Sequence, residues 1–168
     1  MGAQMYLKTL SILTVSFLSL LFLVMATFMP AATTLVASSD NDPETKCLAQ
    51  AVYFEARGEP FSGQVAVAQV VHNRVAAKGT SYCKVVFEGS SRRNACQFSF
   101  ACDGKSDTAT DQVSWQRALM VASLVRGGNM RDLSGDATFY HANYVSPTWS
   151  KSLKVTANIG NHIFYRQM

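Results

Sequence analysis

The run from Leu10 to Met29 constrains this chain more than any other stretch: it is almost wholly apolar, Lys8 is the only charge before Asp40, and Pro30 closes it. Such a segment meets a membrane, because about 20 apolar residues suffice for a spanning helix and a signal-peptide core is shorter. Residues 1–38 are therefore expected to be a signal peptide or an anchoring helix. Small residues cluster at Ala37 and Ser38, where a leader could be cut. Cleaved or retained, the segment places the rest of the chain outside the cytoplasm, in the periplasm or on the wall side of the membrane. Roughly 130 residues then remain, enough for one domain with one active site. Residues 39–46 read as a linker and helix start, and 47–168 as the folded domain.

All four cysteines, Cys47, Cys83, Cys96 and Cys102, lie beyond the apolar segment. An even number in an oxidising compartment reads as two disulfides. Three connectivities are open, and the expectation adopted is Cys96 with Cys102 and Cys47 with Cys83. A zinc site is disfavoured, because no C-x-x-C pair and no histidine at finger-like spacing accompanies them. No metal and no cofactor is expected. The net charge of +4, about +3 without Lys8, suits an anionic polymer such as a bacterial wall. No basic helix with interleaved aromatics supports nucleic-acid binding.

Hydrophobic spacing predicts three helices. Asp42 can cap the first and Pro43 fits its first position, with Gly58 and Pro60 ending it after Arg57. Ser62 is the expected cap of a second helix to Lys78, with Val65, Ala68, Val71 and Val75 on one face and Gly79 as its stop. A third is expected from about Thr110 to Val125, turning Val113, Ala118 or Leu119, Ala122 and Val125 inward. Between them, 85–87 and 97–100 look like a small hairpin with a disulfide-tied rim. Strand signals recur at 137–141, 153–157 and 162–165. The fold class is thus α+β, mainly helical with a small β region, preceded by the N-terminal signal or anchor helix.

The first helix carries an anomaly. Leu48, Ala51, Val52 and Glu55 share one face at helical spacing, so a carboxylate stands on the apolar stripe. Burial disfavours the charged form, and the last turn of a helix is where the macrodipole least favours an anion. Both push the carboxyl pKa up, as a general acid near neutral pH requires. A rim ion pair of Glu55 with Arg57 or a lysine is the alternative. Glu59 is a second carboxylate nearby, and paired carboxylates serve glycoside hydrolysis. Its place in the turn Gly58-Glu59-Pro60 favours helix capping or chain steering instead.

The residues Tyr53-Phe54-Glu55-Ala56-Arg57-Gly58-Glu59-Pro60, then Gly63-Gln64-Val65-Ala66-Val67-Ala68 and Asn73-Arg74-Val75, resemble the SleB-type cell-wall hydrolases, relatives of spore-cortex-lytic enzymes. Cys96-Gln97-Phe98-Ser99-Phe100 with Cys102-Asp103-Gly104 is similar to a second block of that family. Ala137-Thr138-Phe139-Tyr140-His141-Ala142 with Pro147 and Trp149 is similar to a third, and Ile159 to Arg166 to its end. The resemblance implies a lysozyme-like α+β catalytic domain over 47–168 with Glu55 as acid and base. The implied reaction is lytic transglycosylation between N-acetylmuramic acid and N-acetylglucosamine, which needs neither water nor a second carboxylate. Gln97, Phe98, Tyr140 and His141 are the matching candidates for the sugar groove, with core packing the rival role for Phe98; Glu59 is carried as a further substrate-binding candidate. The family's spore-cortex members usually add a wall-binding module for which this chain has no room, so targeting is expected from the domain or the membrane segment, and a germination role is not implied.

Three rival functions stand beside this one. A zinc amidase would need converging metal ligands, and His72, His141 and His162 form no local pair. A non-catalytic wall-binding protein would have little reason to keep Glu55 on an apolar face. A water-using hydrolase could employ Glu59 or Asp103. The expected partner in every case is peptidoglycan, with the membrane added if the leader is retained; nucleic acid is not expected, and no protein-interaction motif is legible.

Overall fold

A computed structural model describes residues 41–92 and 95–168. The expected leader, its cleavage point and the start of the linker lie outside the described residues. Among the described residues, four helices precede a three-stranded sheet: α1 Pro43–Ala56, α2 Phe61–Lys78, α3 Tyr82–Val86 and α4 Gln112–Arg126, then β1 Phe139–Ala142, β2 Lys154–Ile159 and β3 His162–Arg166. Short 3₁₀ turns occupy Ser99–Cys102 and Thr148–Ser152. The α+β expectation, mainly helical with a small β region, holds.

Local chemistry accounts for the helix ends. The Asp42 carboxylate accepts from the Thr45 backbone N–H at 3.0 Å while Pro43 occupies the first turn, and Arg126 from α4 pairs with the same carboxylate. Gly79 ends α2 in the left-handed conformation at φ 58°, a region that strains any residue with a Cβ. Ser62 does not cap α2. Pro60 stands at the cap, and its carbonyl accepts from Gly63 and Gln64.

α2 is the axis of the fold. Every residue from Gly63 to Val71 is buried, because α1, α3 and α4 cover one side and the sheet the other. Leu48, Val52, Val65, Val71, Val86, Val121 and Ala122 form the helical core. Ala56, Ala66, Val67 and Val70 pack instead against Ala137 and Phe164 of the sheet side. The sheet has order β1-β3-β2, all antiparallel, with Tyr140 opposite Phe164 and His141 opposite Ile163; a bulge interrupts β2 between Val155 and Ala157.

Two further expectations are corrected. No hairpin forms from 85–87 and 97–100: the first lies in and just after the short helix α3, the second in and before a 3₁₀ turn, and they meet through the edge-on rings of Phe87 and Phe100, with Gln97 N–H donating to Glu88 O at 2.9 Å beside them. Ser81 caps α3 through the Lys84 N–H, so the apolar pair Val85 and Val86 is buried from a helix. Val113 is 75% exposed rather than inward. Trp115 packs on the core in its place, edge-on to Tyr53. The cysteines pair as expected, Cys47 with Cys83 and Cys96 with Cys102.

Candidate active site

The end of α1, the middle of α2, the segment 97–99 and β1 enclose a cleft of about 460 Å³. Glu55 lies in its wall with Phe54, Arg74, Gln97, Phe98, Ser99, Tyr140, His141, Tyr144 and His162. It is the one carboxylate among the described residues that line the cleft.

Glu55 reaches this place because α1 buries Leu48, Ala51 and Val52 and carries the next position of the same stripe to the helix end. Its carboxyl is half-buried, and burial raises its pKa above the usual carboxylate range. Two neighbours oppose that rise: the Tyr140 hydroxyl donates to Oε2 at 3.2 Å, and the Arg74 guanidinium adds positive charge. Burial outweighs them, so the pKa lies above the ordinary carboxylate value while the charged form keeps two supporting neighbours. Arg57 takes no part, as its guanidinium lies over the Tyr53 ring at 5.1 Å.

Tyr140 is placed by α2. Gln69 clamps the 131–134 loop, accepting from Leu133 and Ser134 N–H groups at 2.8 and 3.2 Å and donating to Arg131 O at 2.7 Å. Asn73 donates to Ala137 O at 2.9 Å and Arg74 Nε to Thr138 O at 2.6 Å, fixing the entry to β1. The Tyr140 ring then stacks against Phe164 and the edge of His162. Burial and the adjacent Glu55 push the Tyr140 hydroxyl well above its ordinary pKa, so it remains a donor.

The groove candidates converge in part. Gln97 is at the cleft edge; Phe98 is 3% exposed and does both jobs, lining the cleft and packing in the core. His141 lines the cleft with both ring nitrogens engaged, Nδ1 with Ala142 O at 2.9 Å and Nε2 with the Tyr165 hydroxyl at 2.8 Å. Since a carbonyl only accepts, Nδ1 carries a proton, and in the neutral ring Nε2 accepts from Tyr165. Glu59 stands apart: its carboxylate accepts from the Asn161 N–H at 2.8 Å and Asn161 Nδ2 at 3.1 Å, tying the α1–α2 turn to the β2–β3 turn. Gly160 beside it, at φ 58°, has no room for a Cβ against that carboxylate. Asp103 caps its own turn through Lys105 N–H at 2.9 Å, outside the cleft wall. His72 bonds the Tyr82 hydroxyl at 2.6 Å, also outside the cleft wall, away from His141 and His162.

Arg74, Ser99, Tyr144 and His162 line the cleft although sequence reasoning does not assign them to the groove. Arg74 was findable: Val67, Val70, Val71 and Arg74 share a helical face, the same sign of a charge on an apolar stripe that exposed Glu55. His162 is buried, and burial holds its pKa below the ordinary histidine value, so it is neutral near pH 7.

Residues 58–165 match the family model described as cell wall hydrolase. The chain belongs to the cell wall hydrolase family. Its relatives include the spore cortex-lytic enzymes of Halalkalibacterium halodurans, 37% identical over 129 residues, and of Bacillus subtilis, 33% identical over the same length. Each alignment takes in 75% of this chain but only 35% and 38% of the relative, so the chain spans well under half the length of these proteins. Two solved catalytic domains share the fold of this chain. That of the Bacillus cereus SleB protein is 31% identical with a TM-score of 0.54, over 73% of this chain and 89% of the other. That of the germination-specific lytic transglycosylase SleB from Bacillus anthracis is 29% identical with a TM-score of 0.57, over 73% and 93%.

Proposed function

We propose that this cell wall hydrolase cuts the glycan strands of peptidoglycan as a lytic transglycosylase, with Glu55 as its acid and base. The observation that carries the reading is a cleft carboxyl whose pKa burial raises, with Tyr140 and Arg74 beside it to support its charged form. Protonated Glu55 gives its proton to the oxygen joining muramic acid C1 to N-acetylglucosamine, and the C1–O bond breaks with its electrons on the leaving oxygen. Carboxylate Glu55, now favoured by the Tyr140 hydroxyl and the Arg74 charge, takes the proton of the muramoyl 6-hydroxyl as O6 bonds to C1. The residue ends protonated, ready for another cycle, and no water is consumed. One carboxyl is enough for this sequence, which agrees with Glu59 and Asp103 lying outside the cleft wall. The relatives' names, spore cortex-lytic enzyme and lytic transglycosylase, support the same reading.

Gln97, Phe98, Tyr140 and His141 are assigned to the sugar groove, where rings stack on sugar faces and amides hold acetamido groups. Glu59 is assigned to holding the two turns together. Residues 47–168 form the catalytic domain, and residues 1–38 act as leader or anchor that carries it to the outer side of the membrane, where the substrate is. Digestion of purified peptidoglycan followed by mass spectrometry tests the reaction type. Muramic ends lighter by one water establish transglycosylation; reducing muramic ends mean hydrolysis by water, and freed stem peptides mean an amidase.

A further inference from the structure

Peptidoglycan sugars are neutral along the strand, and its negative charge sits on carboxylates of the peptides attached to muramic acid. A groove that reads those peptides needs cations to one side of the bond being cut. A second depression of about 250 Å³ adjoins the cleft, sharing Arg74 and Gln97 with it and adding Lys78, Phe139 and Gln167. Lys78 also borders a third depression that contains Lys84 and Glu88.

Arg74 stands at the partition between cleft and trough. Its guanidinium lies over Phe98, which lines the cleft, at 5.7 Å and over Phe139, which lines the trough, at 6.0 Å. Nε is fixed on Thr138 O, and only 8% of the residue is exposed, yet Nη1 has no hydrogen-bond partner. A buried charged N–H without an acceptor is costly, and a ligand carboxylate would supply one in the fork geometry that a guanidinium favours. Lys78 pairs with Glu88 at 2.5 Å with both side chains about half exposed. That contact steadies the ammonium at the trough rim, and an ammonium has three donors. Glu88, which lines the third depression with Lys84, is the carboxylate nearest the rim, set against the cations Arg74 and Lys78 of the trough.

We propose that this trough is a subsite for the acidic stem peptide of the strand being cut, with Arg74 and Lys78 receiving its carboxylates. The proposal rests on the glycan-cleavage reading and adds a selectivity to it: strands that carry peptides are cut faster than bare strands. Neutral sugars alone would not require two cations at this place.

The test compares the full chain on soluble glycan strands that keep their stem peptides and on the same strands stripped by an amidase, reading 1,6-anhydro ends. The expected kcat/KM is higher with peptides present. Lys78→Gln lowers the ratio of the two values about two- to fivefold, the range for one half-exposed charge contact, and Lys78→Arg restores it. A wild-type ratio of one, or a ratio that Lys78→Gln does not move, overturns the subsite while leaving glycan cleavage standing. Failure to form anhydro ends from either preparation overturns the glycan reading and the subsite together.

Discussion

Replacing Glu59 distinguishes a one-carboxyl mechanism from a two-carboxyl one. Its oxygens receive two N–H groups of Asn161, at 2.8 and 3.1 Å, and so join turns 102 positions apart in sequence. Hydrogen bonds to a charged acceptor contribute about 1.5–3 kcal/mol when buried. This site is largely solvent-exposed, so water compensates part of the loss, and Glu59→Ala is expected to cost about 2 kcal/mol for the pair. Glu59→Gln keeps an acceptor for the Asn161 N–H but presents a donor to the Asn161 amide, which halves the loss to about 1 kcal/mol. For a folded body of this size each kcal/mol lowers Tm by roughly 4 °C. Thermal unfolding of the two variants should therefore fall by roughly 8 and 4 °C. Turnover on peptidoglycan, measured well below the transition, should stay within a few-fold of wild type. A drop of about 100-fold or more in Glu59→Gln with an unchanged Tm would make Glu59 a second catalytic carboxyl, since that is the size of a lost general acid or base.

Tyr140→Phe removes the hydroxyl that favours the charged form of Glu55. With less to oppose burial, the Glu55 pKa rises further, so the alkaline limb of the kcat profile moves to higher pH; movement to lower pH would contradict the assignment. The rate should also fall by about tenfold, as expected for one hydrogen bond to a developing charge at the weak end of its range. Removing the disulfides one at a time should rank them by loop length. Cys47 and Cys83 close a separation of 36 and should cost about 4 kcal/mol when both are changed to serine, against about 2 kcal/mol for Cys96 and Cys102 with a separation of 6. Chemical denaturation of the two double variants reads the order, and a larger loss from the shorter loop would mean that the bridges act on the native state instead.

What could be read from the sequence was what local chemistry decides. Asp42 and Pro43 start α1, Gly79 stops α2, and Glu55 betrays itself by breaking an apolar stripe, because each signal lies within a turn or two of its consequence. The hairpin expected around 85–87 and 97–100 failed because a short run such as Val85-Val86-Phe87 fits a buried strand and a buried helical turn equally well. Tertiary context decides such a run, here burial against the core, the Ser81 cap and the Cys47–Cys83 bridge. Val113 was misplaced because α4 turns Trp115, Ala118, Ala122 and Val125 inward, a phase that leaves 113 outside. The partner of Glu55 could not be derived from spacing, since Tyr140 is 85 positions away. It arrives through the clamp of Gln69, Asn73 and Arg74 on the segment before β1; the apolar stripe of α2 marks Arg74 but gives no hint of the work of Gln69 and Asn73.

Whether Glu55 carries the proton in strand cleavage is decided by Glu55→Gln. The amide keeps the shape but gives up no proton. Because the folded-state pKa of Glu55 is raised, its charge costs stability as pH rises through that value, and the cost is absent below the ordinary carboxylate range. At neutral pH the variant should therefore melt no lower than wild type. The measurement is the mass spectrum of peptidoglycan digested side by side with wild type and Glu55→Gln. Wild type should yield 1,6-anhydro muramic ends, and the fully folded variant none above background. The same ends at a comparable rate from Glu55→Gln would take the proton transfer away from Glu55.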